Sequence, residues 1–167
     1  KMMSATLKWR MEFKPDQLSV ETDENLANND KLGTLWINGK DLKGQSIVYI
    51  KPGGVNPNSV ETRVNYLILK IEEALKMLEP PAFRLCWICD FSDYGSRGRS
   101  SGGLSVAKQS LDHLQNNYPE RLGNLFVINT PMMFSMAFSL VLPFMSSRTK
   151  QKIKWLKGDE KTIREAL

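Results

Sequence analysis

The chain has 167 residues, 41% of them apolar and 25% charged, which suits a single globular domain with a real core. The longest strongly apolar stretch covers the 11 residues 132–142, too few to cross a bilayer as a helix. The net charge of +5 is concentrated near the end, because residues 146–167 hold seven basic and three acidic side chains. A basic end suggests an anionic partner, although a solvated face explains such a run equally well.

The first fifty residues predict one helix and two strands. Residues 4–13 predict a helix with Leu7 and Trp9 among its buried side chains. Residues 35–37 and 47–50 are short β-branched and aromatic runs with turn residues between them. They predict an antiparallel pair of strands.

The middle of the chain predicts a long helix, a strand and a second helix. Apolar side chains recur at spacings of three and four over residues 60–78, which predicts an amphipathic helix. Asn58 followed by Glu61 predicts the cap at its start. Residues 83–91 are nearly continuously apolar, as in a buried central strand, and residues 104–118 predict another amphipathic helix.

The last third predicts a buried strand over 125–129, a helix over 132–142, a strand over 153–156 and a helix over 161–167. Helices therefore alternate with buried strands along the chain. The predicted fold class is α/β, with a mainly parallel sheet flanked by helices.

Two patterns that resemble enzyme or metal motifs are weak. The glycine-rich loop 95–103 lies between a strand and a helix, as phosphate loops do, but lacks their Gly-Lys-Ser/Thr ending. Cys86 and Cys89 have CxxC spacing, but within a strand they point to opposite faces, so core packing is favoured. They are the only cysteines, which indicates a reducing, cytoplasmic compartment rather than a disulfide framework.

The remaining titratable candidates do not form a catalytic set either. His113 is the only histidine and is predicted to be a surface residue. Asp90 and Asp93 could act as an acid–base pair, but an aspartate at a strand end commonly caps the following loop. We therefore predict that the protein is not an enzyme and holds no metal.

The segment 132–142 is the most informative element, since Ser135 and Ser139 are its only polar residues. A helix that is apolar on nearly every face must be buried all round or contact lipid. A central core helix is the simpler interpretation. Basic residues follow it directly, namely Arg148, Lys150, Lys152, Lys154 and Lys157. An apolar element beside a basic one fits a surface that touches an anionic bilayer.

Several segments match the motifs of a known family in both order and spacing. They are residues 118–123 (Tyr-Pro-Glu-Arg-Leu-Gly), residues 126–131 (Phe-Val-Ile-Asn-Thr-Pro), Phe134-Ser135, Pro143-Phe144, Thr149 and Lys152-Ile153. Over roughly residues 4–160 the chain resembles CRAL-TRIO domains, in the branch of the secretory-pathway phosphatidylinositol/phosphatidylcholine transfer proteins. The resemblance implies the CRAL-TRIO lipid-binding fold, with a sheet as the floor of a lipid pocket and a gate helix that closes it. It also implies that residues 1–30 end an N-terminal helical region and that residues 31–167 form a lipid-binding domain truncated at its C-terminal end.

The resemblance also implies the roles of individual residues. Glu120, Thr149 and Lys152 match the headgroup-binding positions, where a basic side chain offsets the phosphate charge and a carboxylate orients the lysine and accepts inositol hydroxyls. The pocket and gate positions are apolar: Ile37, Val48, Leu85 and Trp87 on the floor, and Met133, Phe134, Ala137, Phe138 and Val141 on the gate.

One departure from the family changes the expected ligand. Transfer proteins of this branch use two tyrosines, a serine and a threonine for phosphatidylcholine, and the four floor residues named above occupy those positions without any hydroxyl. The resemblance therefore implies transfer of phosphatidylinositol in exchange for a second lipid other than phosphatidylcholine. The bound phospholipid is the only ligand expected, with no cofactor.

The implied partners are phosphatidylinositol, the second lipid and, transiently, a membrane surface. The protein is expected to be a cytoplasmic monomer that visits organelle membranes such as the Golgi and does not bind nucleic acid. Three alternatives remain open. They are a carrier of a sterol, tocopherol-like or retinoid ligand, an interaction module that carries nothing, and, ranked last, a nucleotide enzyme that uses the loop 95–103.

Overall fold

Helices surround a central sheet in the computed structural model, which describes residues 2–92, 94, 102–131 and 138–156. The helices include α1 (Met2–Phe13), α2 (Glu24–Asp30), α3 (Val60–Lys76), α4 (Gly103–Asn117) and α5 (Ser147–Gln151), with 3-10 turns at Pro15–Gln17 and Leu142–Phe144. The strands of the described residues are β1 (Leu35–Lys40), β2 (Ser46–Ile50), β3 (Leu85–Asp90), β4 (Leu122–Ile128) and β5 (Ile153–Leu156). The predicted alternation of helices and strands, and with it the α/β class, is confirmed.

These five described strands lie in the order β1-β2-β3-β4-β5. Strand β1 is antiparallel to β2, as predicted, and every other neighbouring pair is parallel. The register aligns a row of apolar residues across the sheet, namely Ile37, Val48, Trp87, Leu125 and Ile153. Because side chains in register share a face, this row makes the face against which α3 packs apolar.

Helix α3 is the longest described helix, and its sequence explains both its start and its buried side. Ser59, rather than the predicted Asn58, is the N-cap, since its hydroxyl accepts the Thr62 N–H at 3.0 Å. The Asn58 amide donates instead to the Asn29 side chain at 3.1 Å, so it is already engaged. The apolar stripe is buried as the spacing predicts, and includes Val64, Leu67, Ile68 and Ile71.

The prediction that Leu7 is buried is wrong, because 62% of this side chain is exposed. Trp9 and Phe13, one turn apart, face the core and stack on each other at 5.0 Å. Leu7 lies two residues before Trp9, about 200° round the helix, and therefore points away. Among the described residues, no helix is both long enough and apolar enough to cross a membrane. The predicted helix over 161–167 and residues 132–137 of the predicted apolar helix lie outside the described residues.

A buried ionic network joins α1, α3 and the end of α4. Both guanidinium nitrogens Nη1 and Nη2 of Arg10 donate to the Glu72 carboxylate, at 2.8 and 3.0 Å. The Tyr118 hydroxyl donates to the same carboxylate at 2.6 Å. Burial acts to raise the pKa of Glu72, but the hydrogen bonds from Arg10 and Tyr118 outweigh it and hold this pKa below its ordinary value. The network therefore keeps Glu72 ionised and locks three helices together.

Candidate functional site

Glu120 stands in the turn that leads into β4. Its backbone is in the left-handed region at φ +58°, a conformation that residues other than glycine rarely adopt. The turn directs its carboxylate towards α5. There Oε1 accepts a hydrogen bond from Arg148 Nη1 at 2.9 Å, and Oε2 lies 3.6 Å from Lys152 Nζ.

Helix α5 positions the basic partners of this carboxylate. Its N-cap is Ser146, whose hydroxyl accepts the Thr149 N–H at 3.1 Å and lies 2.8 Å from Thr149 Oγ1. Its C-cap is Lys152, whose backbone N–H donates to the Thr149 carbonyl at 3.1 Å. The Lys152 ammonium donates to the Leu122 carbonyl at 2.7 Å, which fixes it against the first residue of β4.

The structure thus pairs Glu120 with Lys152 and places Thr149 three residues before Lys152, and the role of all three as lipid ligands stays a prediction. The side chains are open to solvent to different degrees: 49% of Glu120 and 23% of Lys152 are exposed. The hydrogen bond from Arg148 and the nearby charge of Lys152 lower the pKa of Glu120, so this carboxylate is an anion at neutral pH.

Arg148 is a further member of this group that sequence reasoning did not assign to it. Its side chain is 81% exposed and forms an ion pair with Glu120. Arg148 precedes Lys152 by four residues, which is one helical turn. That spacing, together with a Glu already assigned to the headgroup, is the signal that could have identified it. The cluster formed by Glu120, Arg148, Thr149 and Lys152 is called the charged cluster below.

The predicted floor residues lie on one face of the sheet. Ile37, Val48 and Trp87 are members of the row described above, and Leu85 lies on the same face two residues before Trp87. Val48, Leu85 and Trp87 are buried, and Ile37 is half-buried against the same core. The four residues pack against α3 in this structure, and their contact with a lipid stays a prediction.

Of the predicted gate residues, Met133, Phe134 and Ala137 lie outside the described residues. Phe138 packs in a cluster with Val127 and Phe91, and its ring meets the Trp155 ring edge-on at 4.8 Å. The N–H of Val141 donates to the Phe138 carbonyl at 2.9 Å.

Phe138 and the floor residues therefore share one face of the sheet. Leu125 connects the two sets, because it contacts the Phe138 cluster and also the core that contains Trp87. The charged cluster stands where β4 and β5 begin, since the Lys152 ammonium donates to the Leu122 carbonyl and Lys152 directly precedes Ile153, the first residue of β5.

The weaker candidates prove to be structural. Asp90 accepts hydrogen bonds from the Tyr49 hydroxyl at 2.7 Å, from the Asn129 amide at 2.9 Å and from the Ser92 N–H at 2.9 Å, so it caps the end of β3. Asp93 and residues 95–101 of the glycine-rich loop lie outside the described residues. His113 is half-buried, contrary to the predicted surface position, because α1 covers it with aromatic rings.

The two cysteines do not form a reactive pair. Burial raises the pKa of the Cys86 thiol to about 11 and that of the Cys89 thiol to about 12, so neither is a thiolate at neutral pH. In the part of the chain that the structure describes, no three of the histidine, cysteine, aspartate and glutamate side chains group into a set that could hold a metal ion.

These features define an α/β domain with an apolar sheet face packed against α3 and a charged cluster where β4 and β5 begin. The family profile of the CRAL/TRIO domain matches residues 30–166, and the chain belongs to this family of lipid-binding and lipid-transfer domains. The resemblance predicted from the sequence is confirmed.

Comparison with individual proteins agrees with this assignment. Patellin-5 of Arabidopsis thaliana is 30% identical over 166 residues, which cover 91% of this chain and 24% of that protein. The phosphatidylinositol transfer protein PDR17 of Saccharomyces cerevisiae is 29% identical over 161 residues, which cover 91% of this chain and 45% of that protein. The chain therefore spans less than half of either relative. The crystal structure of Sfh5 is similar in fold, with a TM-score of 0.76 and 20% identity over 93% of this chain and 59% of that one.

Proposed function

We propose that this protein binds a single phospholipid and transfers it between membranes, with phosphatidylinositol as one ligand and a lipid other than phosphatidylcholine as the second. The observation that carries the proposal is the pairing of Glu120 with Lys152 at 3.6 Å, where β4 and β5 begin, in a sheet with an apolar face on which Phe138 packs. The relative PDR17, described as a phosphatidylinositol transfer protein, supports the same ligand.

The charged cluster suits an inositol phosphate headgroup chemically. The ammonium of Lys152 and the guanidinium of Arg148 can each donate charge-assisted hydrogen bonds to a phosphate. The ionised Glu120 can accept hydrogen bonds from inositol hydroxyls while it orients both cations. A ligand phosphate would compete with Glu120 for Arg148, which is the more exposed of the two cations.

The apolar sheet face can shield the acyl chains of the lipid from water. Exposure of acyl chains to water costs about 0.8 kcal/mol for each methylene, so two chains with roughly 30 methylenes cost on the order of 25 kcal/mol. In this proposal a cavity between the sheet face and the predicted gate, residues 132–142, would shield them and lower the barrier to transfer. Lipid would enter when this gate opens on a membrane.

Exposed apolar side chains beside cations support the membrane contact. Leu140 and Phe144 are exposed, and the Lys108 ammonium lies 4.5 Å from the centre of the Phe144 ring. Arg148 and Lys150 follow within six residues. Such a surface can insert shallowly into an anionic bilayer. We propose that the protein works as a cytoplasmic monomer that contacts organelle membranes such as the Golgi transiently.

The headgroup assignment is tested by Lys152→Ala in a vesicle-to-vesicle transfer assay with the full-length protein. Hydrogen bonds to charged groups contribute about 1.5–3 kcal/mol, so we expect phosphatidylinositol transfer to fall at least about tenfold. Transfer of the second lipid should change little. Lys154→Ala is the matched control, because Lys154 is exposed and aligns with Phe126 in the sheet register, away from Glu120. Equal transfer by Lys152→Ala and the wild type would refute the assignment.

A carrier of a non-phospholipid ligand is the second candidate function. The floor positions that would hold phosphatidylcholine are Ile37, Val48, Leu85 and Trp87, and they present hydrocarbon and an indole ring. A sterol, tocopherol-like or retinoid ligand needs few polar contacts and fits such a lining. This candidate gains support if a neutral lipid and no phosphatidylinositol copurifies with the protein.

A further inference from the structure

Gln115 of α4 holds the chain on both sides of Met145. Its amide nitrogen Nε2 donates to the Phe144 carbonyl at 2.8 Å. Its amide oxygen Oε1 accepts the Ser146 N–H at 2.9 Å. One side chain therefore satisfies a carbonyl at the end of the 3-10 turn Leu142–Phe144 and the N–H of the N-cap of α5, and Met145 is buried between them.

A second residue of α4 strengthens the same attachment. Lys108 lies seven residues before Gln115, which is two helical turns, so both side chains leave the same side of α4. Its ammonium is 4.5 Å from the centre of the Phe144 ring. Backbone hydrogen bonds from Phe144 to Val141 and from Met145 to Leu142 keep the attached segment in a tight turn.

The attachment continues directly into the charged cluster. Ser146, whose N–H is held by Gln115, is also the N-cap of α5 and accepts the Thr149 N–H through its hydroxyl. One turn later Lys152 ends α5 and pairs with Glu120. The position of α5 relative to β4 thus depends at its N-terminal end on a glutamine of α4.

We infer that Gln115 is a positioning residue for headgroup binding, which fixes α5 so that Arg148 and Lys152 face Glu120. This inference rests on the proposed function, in which those residues bind the headgroup. Gln115 makes no contact with the lipid itself in this account and acts through Ser146. Its removal leaves the cations in place on the chain but frees the helix that carries them.

The test compares Gln115→Leu with Gln109→Leu in the full-length protein. Gln109 is a matched control, because it lies on the same helix, is exposed, and donates to Ser105 within that helix, at 3.3 Å. The first readout is the rate at which protein loaded with phosphatidylinositol releases it to acceptor vesicles of phosphatidylcholine. We expect release from Gln115→Leu to be about tenfold faster, equivalent to about 1.4 kcal/mol, and release from Gln109→Leu to stay within about twofold of wild type.

The second readout is amide hydrogen exchange, which does not depend on lipid. Protection of the Ser146 amide should be lost in Gln115→Leu while that of α3 is unchanged, a pattern that general destabilisation would not give. Gln115→Glu keeps the acceptor for Ser146 and removes the donor to Phe144, so it should retain part of the protection.

The outcomes separate the two proposals. A wild type that retains no phosphatidylinositol refutes the proposed function. Exchange of the Ser146 amide then still tests whether Gln115 holds the N-terminal end of α5. Unchanged Ser146 protection in Gln115→Leu would show that it does not. Faster Ser146 exchange with unchanged lipid release overturns the role in headgroup binding.

Discussion

Glu72→Ala is expected to lower the free energy of unfolding by about 3 kcal/mol. Breaking a buried ion pair costs about 3–5 kcal/mol, because the remaining charge stays desolvated. Here 9% of the Glu72 side chain is exposed but 35% of Arg10, so water can reach the orphaned guanidinium and the low end of that range applies. The buried Tyr118 hydroxyl loses its acceptor as well. Urea denaturation followed by circular dichroism measures the change.

Glu73→Ala is the control for this variant. Glu73 is the next residue of α3 and pairs with Lys70 at 3.1 Å, but 37% of it is exposed. Its loss should cost no more than about 1 kcal/mol. Similar losses of unfolding free energy in the two variants would contradict the large contribution to stability expected of the Arg10–Glu72–Tyr118 network.

The same network makes stability depend on pH. The folded pKa of Glu72 lies below its ordinary value of 4.5, so its contribution is complete above pH 4.5 and is lost as the pH falls through the folded pKa. The difference in stability between wild type and Glu72→Gln should therefore be constant near neutral pH and shrink in acid. A difference that grows below pH 4.5 would contradict the sign of the shift.

Trp87→Ala is expected to lower the free energy of unfolding by about 4 kcal/mol, the largest effect of a single truncation predicted here. Loss of a buried tryptophan removes transfer free energy and leaves a cavity, which together cost about 3–5 kcal/mol. Trp87 is 7% exposed and lies in the middle strand, between Val48 and Leu125 in the row across the sheet.

Trp155→Ala deletes the same side chain from the outer strand β5, where 42% of it is exposed. Much less apolar area returns to water, so its cost should be about 1 kcal/mol. Chemical denaturation of both variants without lipid checks the comparison. Equal costs would mean that Trp87 is not part of a packed core.

Sequence periodicity predicted most of the helices and strands, because burial of one side of an element requires apolar residues at regular spacing. The spacing of apolar residues in α3 predicts a helix with one buried side, and the continuous apolar run of β3 predicts a strand buried on both faces. Leu7 and His113 were assigned wrongly for a related reason. Which side of α1 or α4 is covered depends on how these helices pack against each other, and the pattern within one helix does not contain that information.

The charged cluster could be predicted only in part. Glu120, Thr149 and Lys152 were predicted through family resemblance. In the structure a left-handed turn and a five-residue helix bring Glu120 and Lys152, about 30 positions apart, within 3.6 Å. Gln115 could not be found in this way. Its function depends on two backbone groups in a separate part of the chain, and no sequence motif records such a contact.

Identification of the lipid that copurifies with the full-length protein tests the central claim most directly. Mass spectrometry of extracts from wild type, Lys152→Ala and Lys154→Ala would be compared at equal protein amounts. We predict that phosphatidylinositol is enriched in the wild type and in Lys154→Ala and at least about tenfold lower in Lys152→Ala. Absence of phosphatidylinositol from the wild type, or an equal amount in Lys152→Ala, would contradict the account.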